Sequence, residues 1–211
     1  MRAKIKHQTE MKERPILFSA PMIRAILNGR KTQTRRAMKH PLAIAAKRIL
    51  SYKNQSEFDC LLSDDSGGII HCPYGKPGER LWLREAHYCI AEGRQVFYQA
   101  TGDSNHSAKD AAQGNPPLTW SGPWKPSIHM PRWASRVTLK ITSIQVERLQ
   151  EISEADAESE GAQPYPLLVH PANEDLRHVI GFAALWESIN GPGSWDANPW
   201  VWAVEFEQAV S

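Results

Sequence analysis

Cysteine is scarce in this chain of 211 residues, and long apolar runs are absent. The three cysteines cannot all pair and none stands in a CxxC spacing, so a disulfide-framed secreted module and a structural zinc site are both disfavoured. No stretch approaches the roughly 18 apolar residues that a membrane helix needs. The first residues, MRAKIKHQTEMKERP, lack the apolar segment of a signal peptide. These absences predict a soluble, reduced, cytoplasmic protein with no membrane partner.

Acidic residues are missing from one long segment. Residues 14–56 contain ten Lys or Arg and no Asp or Glu, whereas residues 57–211 contain 11 basic and 21 acidic residues. The formal net charge of +2 therefore hides a strongly basic block. Such a block indicates an anionic partner, with nucleic acid the first candidate. The alternative is a solvated face that neutralises the acidic remainder.

Turn signals and hydrophobic periodicity predict more strands than helices. We expect strands at 16–19, 80–90, 96–100, 137–149 and 200–207, and helices at 21–28, 43–50, 154–160 and 173–190, the last broken at a glycine. Strands do not alternate regularly with helices, which favours a mixed α+β domain with a small β-barrel and flanking helices. Residues 1–12 are interpreted as a flexible tail, and residues 101–135 as a long insertion rich in Pro and Trp.

The densest group of polar side chains is the segment GRKTQTRR at residues 29–36, directly after the first predicted helix. Arg30, Arg35 and Arg36 carry guanidinium groups that suit phosphate oxygens. The segment is not a Walker loop, because no glycine-rich stretch leads to Lys31. The alternative is a surface loop that is merely basic.

Lys31 and Thr34 form a second candidate group, and Glu160 is a third, separate feature. Lys31 and Thr34 are three residues apart, and in a helical or tight-turn backbone such residues face the same side. A threonine nucleophile needs a base, and a lysine whose pKa is lowered by burial or by neighbouring cations can serve. Glu160 ends a predicted helix, where the helix dipole disfavours an anion by up to about 1 kcal/mol. Either a cation across a cleft compensates this carboxylate, or water solvates it.

Two further groups are candidates for binding. Trp124 and Trp133 lie in the insertion beside Arg132, and interleaved aromatic and cationic side chains can stack bases and hold phosphates. Alternatively, the rings pin the insertion to the barrel. Arg84 and Glu85, at the end of LWLRE, either face a cleft or pair with neighbouring residues. No His or Cys spacing demands a metal site, and we expect neither a metal nor a cofactor.

Several segments together resemble the ASCH-domain family, whose members have a PUA-like β-barrel. The resemblance rests on ILFSAPMIRAILNGRKTQTRR at 16–36, PGERLWLRE at 77–85, LQEISEADAESEGA at 149–162 and WVWAVEFE at 200–207. The segments KPSIHMPRWASR at 125–136 and FAALWESINGPGSWDANPWVW at 182–202 resemble the subgroup common in phages and prophages. The resemblance implies a single ASCH domain over residues 13–211 that recognises RNA or a nucleotide.

One small bacterial member of this family is an amidohydrolase that removes the acetyl group from the 4-amino position of acetylated cytidine. By motif, Lys31 matches its lysine, Thr34 its nucleophile and Glu160 its acid, while Arg36 matches a following arginine. Arg35 stands where that enzyme has an apolar residue, and the present chain is longer. Another family member is described as a ribonuclease, so the fold alone does not define the reaction.

The resemblance therefore implies hydrolysis of 4-acetylated cytidine or a related modified pyrimidine. Thr34 would attack the acetyl carbonyl, Lys31 would take its proton, and Glu160 would relay protons to the leaving amine. An arginine or a backbone N–H would stabilise the oxyanion. The alternatives are a non-catalytic RNA-binding module and a ribonuclease. The expected partner is a modified nucleoside or RNA, and a monomer is favoured, with the oligomeric state left open.

Overall fold

The structure, a computed structural model, describes residues 12–40, 49–53, 58–62, 69–90, 95–102, 123–166 and 175–209. The strands in these ranges are β1 Glu13–Leu17, β2 Gln33–Ala37, β3 Ile49–Lys53, β4 Phe58–Leu62, β5 Ile69–His71, β6 Arg80–Arg84, β7 His87–Ile90, β8 Gln95–Tyr98, β9 Thr138–Arg148 and β10 Trp200–Gln208. The α-helices there are α1 Ala20–Leu27, α2 Glu154–Ser159 and α3 Arg177–Asn190. The predicted mixed α+β architecture is confirmed.

Five strands form one mixed sheet in the order β1-β6-β9-β10-β2. β1 runs parallel to β6, and the other neighbouring strands are antiparallel. The long strands β9 and β10 lie side by side, and a bulge between Glu205 and Phe206 shifts their register. The remaining described strands form two smaller sheets, β3-β4-β5 and β7-β8. The main sheet is therefore the scaffold that carries β2 and the loop before it.

The edge strands β1 and β2 approach each other through a side chain. Arg36 Nη2 on β2 donates a hydrogen bond of 2.6 Å to the carbonyl oxygen of Leu17 at the end of β1. No backbone ladder joins these two strands within the described ranges. Strand pairing in the described chain therefore leaves the main sheet open, and a closed barrel is not shown.

α1 forms as the sequence predicts. Pro21 lies in the first turn, where the missing N–H has no partner to lose, and Gly29 follows the helix with φ 71°. Ile23 and Ile26 are 0% and 1% exposed and pack into the main core. Burying each of these side chains contributes about 2 kcal/mol to stability. The helix is thus anchored firmly, and it fixes where the next loop begins.

Hydrophobic clusters cover both faces of the main sheet. Trp202, Val204 and Phe206 of β10 belong to the larger cluster, as predicted for one face of that strand. Val201 points to the opposite face and joins a second cluster that includes Trp186 of α3. Because α3 covers this second face, its side chains lie close to β2, the neighbour of β10.

The strand predicted at 80–90 is divided in two. Glu85 and Ala86 separate β6 from β7, and β7 leaves the main sheet to pair with β8. β7 and β8 pair in antiparallel orientation, with His87 opposite Tyr98. The long alternating pattern predicted both strands, but it contained no signal for the break.

The helix predicted at 43–50 is wrong where the structure describes it, because Ile49 begins β3. Residues 41–48 lie outside the described residues. The helix predicted at 173–190 begins at Arg177 and continues unbroken through Gly181. A Cβ atom at this glycine would overlap the carbonyl oxygen of Gln163, so the glycine allows a close approach of the chain.

Most of the predicted tail and insertion cannot be compared with the structure, because residues 1–11 and 103–122 lie outside the described residues. The described part of the insertion contains two single-turn 3₁₀-helices, Ser127–His129 and Arg132–Ala134.

Among the described helices, none has the length and apolar character needed to cross a membrane.

Candidate active site

Lys31 is buried at the point where the chain leaves α1. The backbone N–H groups of Arg30 and Lys31 both donate to the carbonyl oxygen of Ala25, at 2.9 and 3.1 Å, and this tight turn leads Lys31 inward. Its side chain is 0% exposed. Nζ donates to two oxygens of Glu160, at 2.6 Å to Oε2 and 2.8 Å to the backbone carbonyl. An isolated buried ammonium group is costly, so these two acceptors stabilise the lysine in the interior.

Glu160 directly follows α2 and is itself 4% exposed. The next residue, Gly161, has φ 76°, and a Cβ atom there would lie 3.2 Å from Cβ of Lys31. The backbone N–H of Thr32 also donates to the carbonyl oxygen of Ser159, at 2.8 Å. The end of α2 is therefore packed directly on the Lys31 loop. Of the two sequence-based alternatives, the compensating cation is confirmed and the solvated carboxylate is wrong.

The pKa of Lys31 is lowered below its ordinary value, as the hypothesis of a lysine base requires. Burial is the largest cause, since removal from water penalises the ammonium form. The Glu160 carboxylate opposes this effect, and the cations Arg36 and Arg35 reinforce it to a smaller extent. The lysine therefore loses its proton more easily than a surface lysine would.

Thr34 lies on β2, so the interpretation of residues 31–34 as a helix or tight turn is wrong. In a strand, successive side chains point to opposite faces, which separates Thr34 and Arg36 from Arg35. Thr34 is 3% exposed and lines a cavity, which we call the Thr34 cavity. Its hydroxyl forms no hydrogen bond with any residue that the structure describes. The hydroxyl is thus available to a bound molecule.

The Thr34 cavity and the open solvent at its mouth together occupy about 670 Å³. Its lining includes three aromatic side chains and four charged or amide side chains besides Thr34 and Glu160: Tyr74, Phe182, Trp186, Arg35, Arg36, Lys39 and Asn190. Burial raises the pKa of Tyr74, so its phenol remains a hydrogen-bond donor. Planar apolar walls with a few polar groups are typical of sites for small aromatic ligands.

Two buried polar atoms of cavity-lining residues lack a hydrogen-bond partner in the described structure. They are Glu160 Oε1, an acceptor, and Arg36 Nε, a donor. Glu160 Oε1 lies 3.5 Å from Nη1 of Arg35, which is an ion pair without hydrogen-bond geometry. Buried polar groups are normally satisfied, so these two atoms indicate a place where a ligand or water completes the bonding.

Arg35 contacts protein groups with all three guanidinium nitrogens. Nε donates to Glu147 at 2.6 Å, and Nη1 donates to Gln33 at 2.7 Å. Nη1 also lies 3.5 Å from Glu160, and Nη2 lies 3.5 Å from Asp156. Although Arg35 also lines the Thr34 cavity, only 1% of its side chain is exposed, which leaves no free face for the phosphate that its sequence context predicts.

The other two arginines of the loop separate. Arg36 lines the Thr34 cavity, donates to the Leu17 carbonyl, and lies over the ring of Phe18 at 5.1 Å. Arg30 lines a second cavity, of about 720 Å³, together with Thr32. The structure thus brings Lys31, Thr34, Arg35, Arg36 and Glu160 together and leaves Arg30 outside.

Arg84 and Glu85 lie next to each other at the end of β6 and pair with protein groups. Arg84 donates to two backbone carbonyl oxygens of the insertion, and its guanidinium lies 5.4 Å from the ring of Trp82. Glu85 is 2% exposed and accepts hydrogen bonds of 2.9 and 3.1 Å from Arg136. Both residues therefore pair with neighbouring groups, which is one of the two alternatives that the sequence left open.

The predicted binding residues of the insertion also lie away from the Thr34 cavity. Arg132 pairs with Glu13 at 2.7 Å and lies 5.9 Å from the Trp82 ring. Trp133 is 61% exposed, so it does not pin the insertion to the sheet. Trp124 is half-buried. Arg132 and the exposed ring of Trp133 thus lie apart from the Thr34 cavity.

Tyr74 and Trp186 line the cavity, although the sequence did not predict them as site residues. Tyr74 lies in a turn before β6 and Trp186 on α3, so no local spacing connects them with residues 29–36.

Within the described ranges, no three His, Cys, Asp or Glu side chains lie close enough together to hold a metal ion.

No family model matches this chain, and no curated protein matches it. Among solved structures, the chain is similar to the crystal structure of protein EF3133 from Enterococcus faecalis V583, which carries the family-model name DUF984. The sequence identity is 12%, the TM-score is 0.38, and the match covers 94% of this chain and 80% of that one. A likeness at this level supports no argument about fold or activity.

Proposed function

We propose that the Thr34 cavity hydrolyses the amide of 4-acetylated cytidine or of a related modified pyrimidine. The observation that carries the proposal is that Thr34 and Glu160 line one cavity while Glu160 binds the buried Lys31. Nucleophile, carboxylate and lysine come from two segments 129 residues apart in sequence. A buried lysine with a lowered pKa, joined through Glu160 to the cavity that Thr34 lines, supports nucleophilic amide cleavage.

The proposed reaction has two steps. Thr34 Oγ1 attacks the acetyl carbonyl, and the Lys31–Glu160 pair receives the hydroxyl proton through Glu160, which contacts both the cavity and Lys31. The C–N bond then breaks, the proton passes to the leaving 4-amino group, and the acetyl group remains on Thr34. Water attacks this ester in the second step and releases acetate. The reaction needs no cofactor.

The cavity walls suit a pyrimidine ring. Tyr74 and Trp186 supply flat apolar surface, and rings of this kind stack on bases. Glu160 Oε1 can accept the N–H of the substrate amide, while Arg36 Nε can donate to a ring nitrogen or carbonyl oxygen. The donor and acceptor that lack a protein hydrogen bond thus complement the acceptor and donor edges of an acylated cytosine.

We also propose that the chain is a phage- or prophage-type ASCH protein and that its main sheet is the framework of a PUA-like barrel. The segments quoted above support the family, and the Arg36–Leu17 hydrogen bond between the edge strands supports a barrel-like curvature. The proposed substrates, RNA and its nucleosides, lead us to propose action in the cytoplasm.

The test is hydrolysis of 4-acetylcytidine by the purified protein, followed as free cytidine. Thr34→Ala should lower kcat by about a thousandfold or more, because it removes the nucleophile itself. Thr32→Ala is the matched control, since Thr32 is exposed and contributes only backbone hydrogen bonds to the site. Equal turnover by both variants would eliminate Thr34 as the nucleophile.

A binding module without this chemistry, or a ribonuclease, is the second candidate. It is favoured by the exposed Trp133 and by the two guanidinium groups, of Arg84 and Arg132, that flank Trp82. Such a surface suits single-stranded RNA. In that case, Trp133→Ala should weaken RNA binding, affinity should fall steeply with salt, and Thr34→Ala should have no effect on binding.

A further inference from the structure

Arg35 connects three elements around Glu160. Its guanidinium joins Glu147 of β9, Gln33 of its own strand and Asp156 of α2, and it reaches Oε1 of Glu160. The contacts with Glu147 and Gln33, at 2.6 and 2.7 Å, are the short ones, so they fix the guanidinium. The contact with Glu160, at 3.5 Å, is made from this fixed position.

The Glu160 carboxylate is therefore held by a cation at each oxygen. Lys31 Nζ binds Oε2 and Arg35 Nη1 faces Oε1. Glu160 follows the last residue of the six-residue helix α2, so the short helix by itself gives its side chain little support. The Arg35 guanidinium supplies this support. It is anchored on β9, so it stays in place if the end of α2 and the carboxylate move.

Arg36 provides a natural comparison. It is the next residue in the chain, its charge also lowers the pKa of Lys31, and it points to the opposite face of β2. In the described part of the chain it makes no ion pair with Glu160, and its hydrogen bond goes to Leu17. Both arginines act on Lys31 through charge, but only Arg35 also contacts the partner of Lys31.

We propose that Arg35 is a positioning residue that fixes the Glu160 carboxylate against Lys31, and that it does not bind substrate phosphate. The part of this proposal that concerns turnover rests on the proposed hydrolysis. The part that concerns Lys31 and Glu160 is independent of any substrate.

The two possible effects of Arg35 on the pKa of Lys31 have opposite signs. Its positive charge lowers that pKa, so loss of the charge alone raises it. Glu160 raises the pKa of Lys31 by a larger effect than either arginine lowers it, so release of Glu160 lowers it. The groups that face Lys31 are these three charged side chains and the ring of Phe18. The direction of the change therefore separates positioning from simple charge.

The experiment follows the Lys31 titration by NMR in protein labelled with ¹³C at lysine Cε. Arg35→Met should lower the pKa of Lys31 by about one unit or more, as expected when a carboxylate partner is lost. Arg36→Met, the matched control, should raise it. Arg35→Lys keeps the charge but loses the planar fork, and it should lower the pKa even if Arg35→Met does not fold. A rise or no change in the folded Arg35 variants overturns the proposal, as does a fall in Arg36→Met.

Kinetics with 4-acetylcytidine give the second readout. Arg35→Lys should lower kcat by about 10- to 100-fold and leave KM nearly unchanged, because the Lys31–Glu160 pair is misplaced while the aromatic walls of the cavity remain. A rise in KM with unchanged kcat would instead identify Arg35 as a substrate contact and overturn the proposal. If the wild-type protein has no turnover, the proposed function fails, but the titration still decides whether Arg35 positions Glu160.

Discussion

Replacement of Lys31 by Met tests how strongly the fold depends on the buried ion pair. The substitution shortens the side chain by one heavy atom, keeps its unbranched apolar stem, and removes both hydrogen bonds of Nζ to Glu160. Breaking a buried ion pair by removing one partner costs about 3–5 kcal/mol. Arg35 remains 3.5 Å from Glu160 Oε1 and offsets part of this loss. We therefore expect a loss near the lower limit, about 3 kcal/mol.

The double variant Lys31→Met/Glu160→Met separates this loss from packing. It removes both charges and replaces them with apolar side chains of similar size, a change that is often neutral or stabilising. Arg35 keeps its bonds to Glu147 and Gln33. The double variant should therefore be more stable than Lys31→Met alone, although the single variant carries fewer substitutions.

Urea unfolding at pH 7 is the assay, with thermal unfolding as a check. A loss of about 3 kcal/mol corresponds to a fall in Tm of roughly 10 °C for a chain of this length. Lys140→Met is the control, because Lys140 forms an exposed pair with Glu207 at 2.9 Å, and such pairs contribute at most about 1 kcal/mol. If Lys31→Met costs no more than this control, or if the double variant is less stable than Lys31→Met, the reasoning is refuted.

Two further predictions concern the same site. Gly161→Ala should cost about 2–3 kcal/mol by urea unfolding, because Gly161 has φ 76° and its new Cβ would lie 3.2 Å from Lys31 Cβ. Gly29→Ala, at φ 71° with open space around it, should cost only about 1 kcal/mol, and equal losses would contradict the packing argument. The pKa of Lys31 lies below 10.5 in the folded protein, so the unfolded chain binds more protons between the two values and stability rises with pH across that window. Wild type should therefore gain stability relative to Lys31→Met as the pH rises towards 10.5. A difference in unfolding free energy that does not change with pH would contradict the lowered pKa of Lys31.

Local rules predicted the elements that carry the site. Pro21 and Gly29 define α1, and Ser153 caps α2 by accepting a hydrogen bond from the N–H of Asp156 at 3.1 Å. Glu160 at the unfavourable end of a helix indicated a compensating cation, and Lys31 is that cation. Each of these signals lies in a few neighbouring residues, so it could be recognised from the sequence alone.

The role of Arg35 could not be predicted in this way. In sequence it is one of several cations in a basic loop, and a buried arginine looks the same as an exposed one. Its acidic partners Glu147 and Asp156 lie 112 and 121 residues further along the chain, and only the packing of β2 between β10 and α2 brings them together. Arg35 and Arg36 have different surroundings because successive side chains of a strand point to opposite faces of the sheet. The turn expected at residues 31–34 does not have this alternation.

The Thr34 cavity was equally beyond local rules. Its aromatic walls come from a turn before β6 and from the middle of α3, and each of those rings would also suit an ordinary core. The effect of Gly181 could not be predicted from local rules either, since a glycine within a helical pattern predicts a break. Here it allows α3 to pass close to the carbonyl oxygen of Gln163, and Trp186 lies further along the same helix.

The most direct test of the account is the rate of cytidine release from 4-acetylcytidine by wild type, Thr34→Ala and Thr32→Ala in parallel. The account predicts turnover by wild type and Thr32→Ala, and a loss of about a thousandfold or more in Thr34→Ala. Turnover that is unchanged in Thr34→Ala, or absent in the folded wild-type protein, would contradict it.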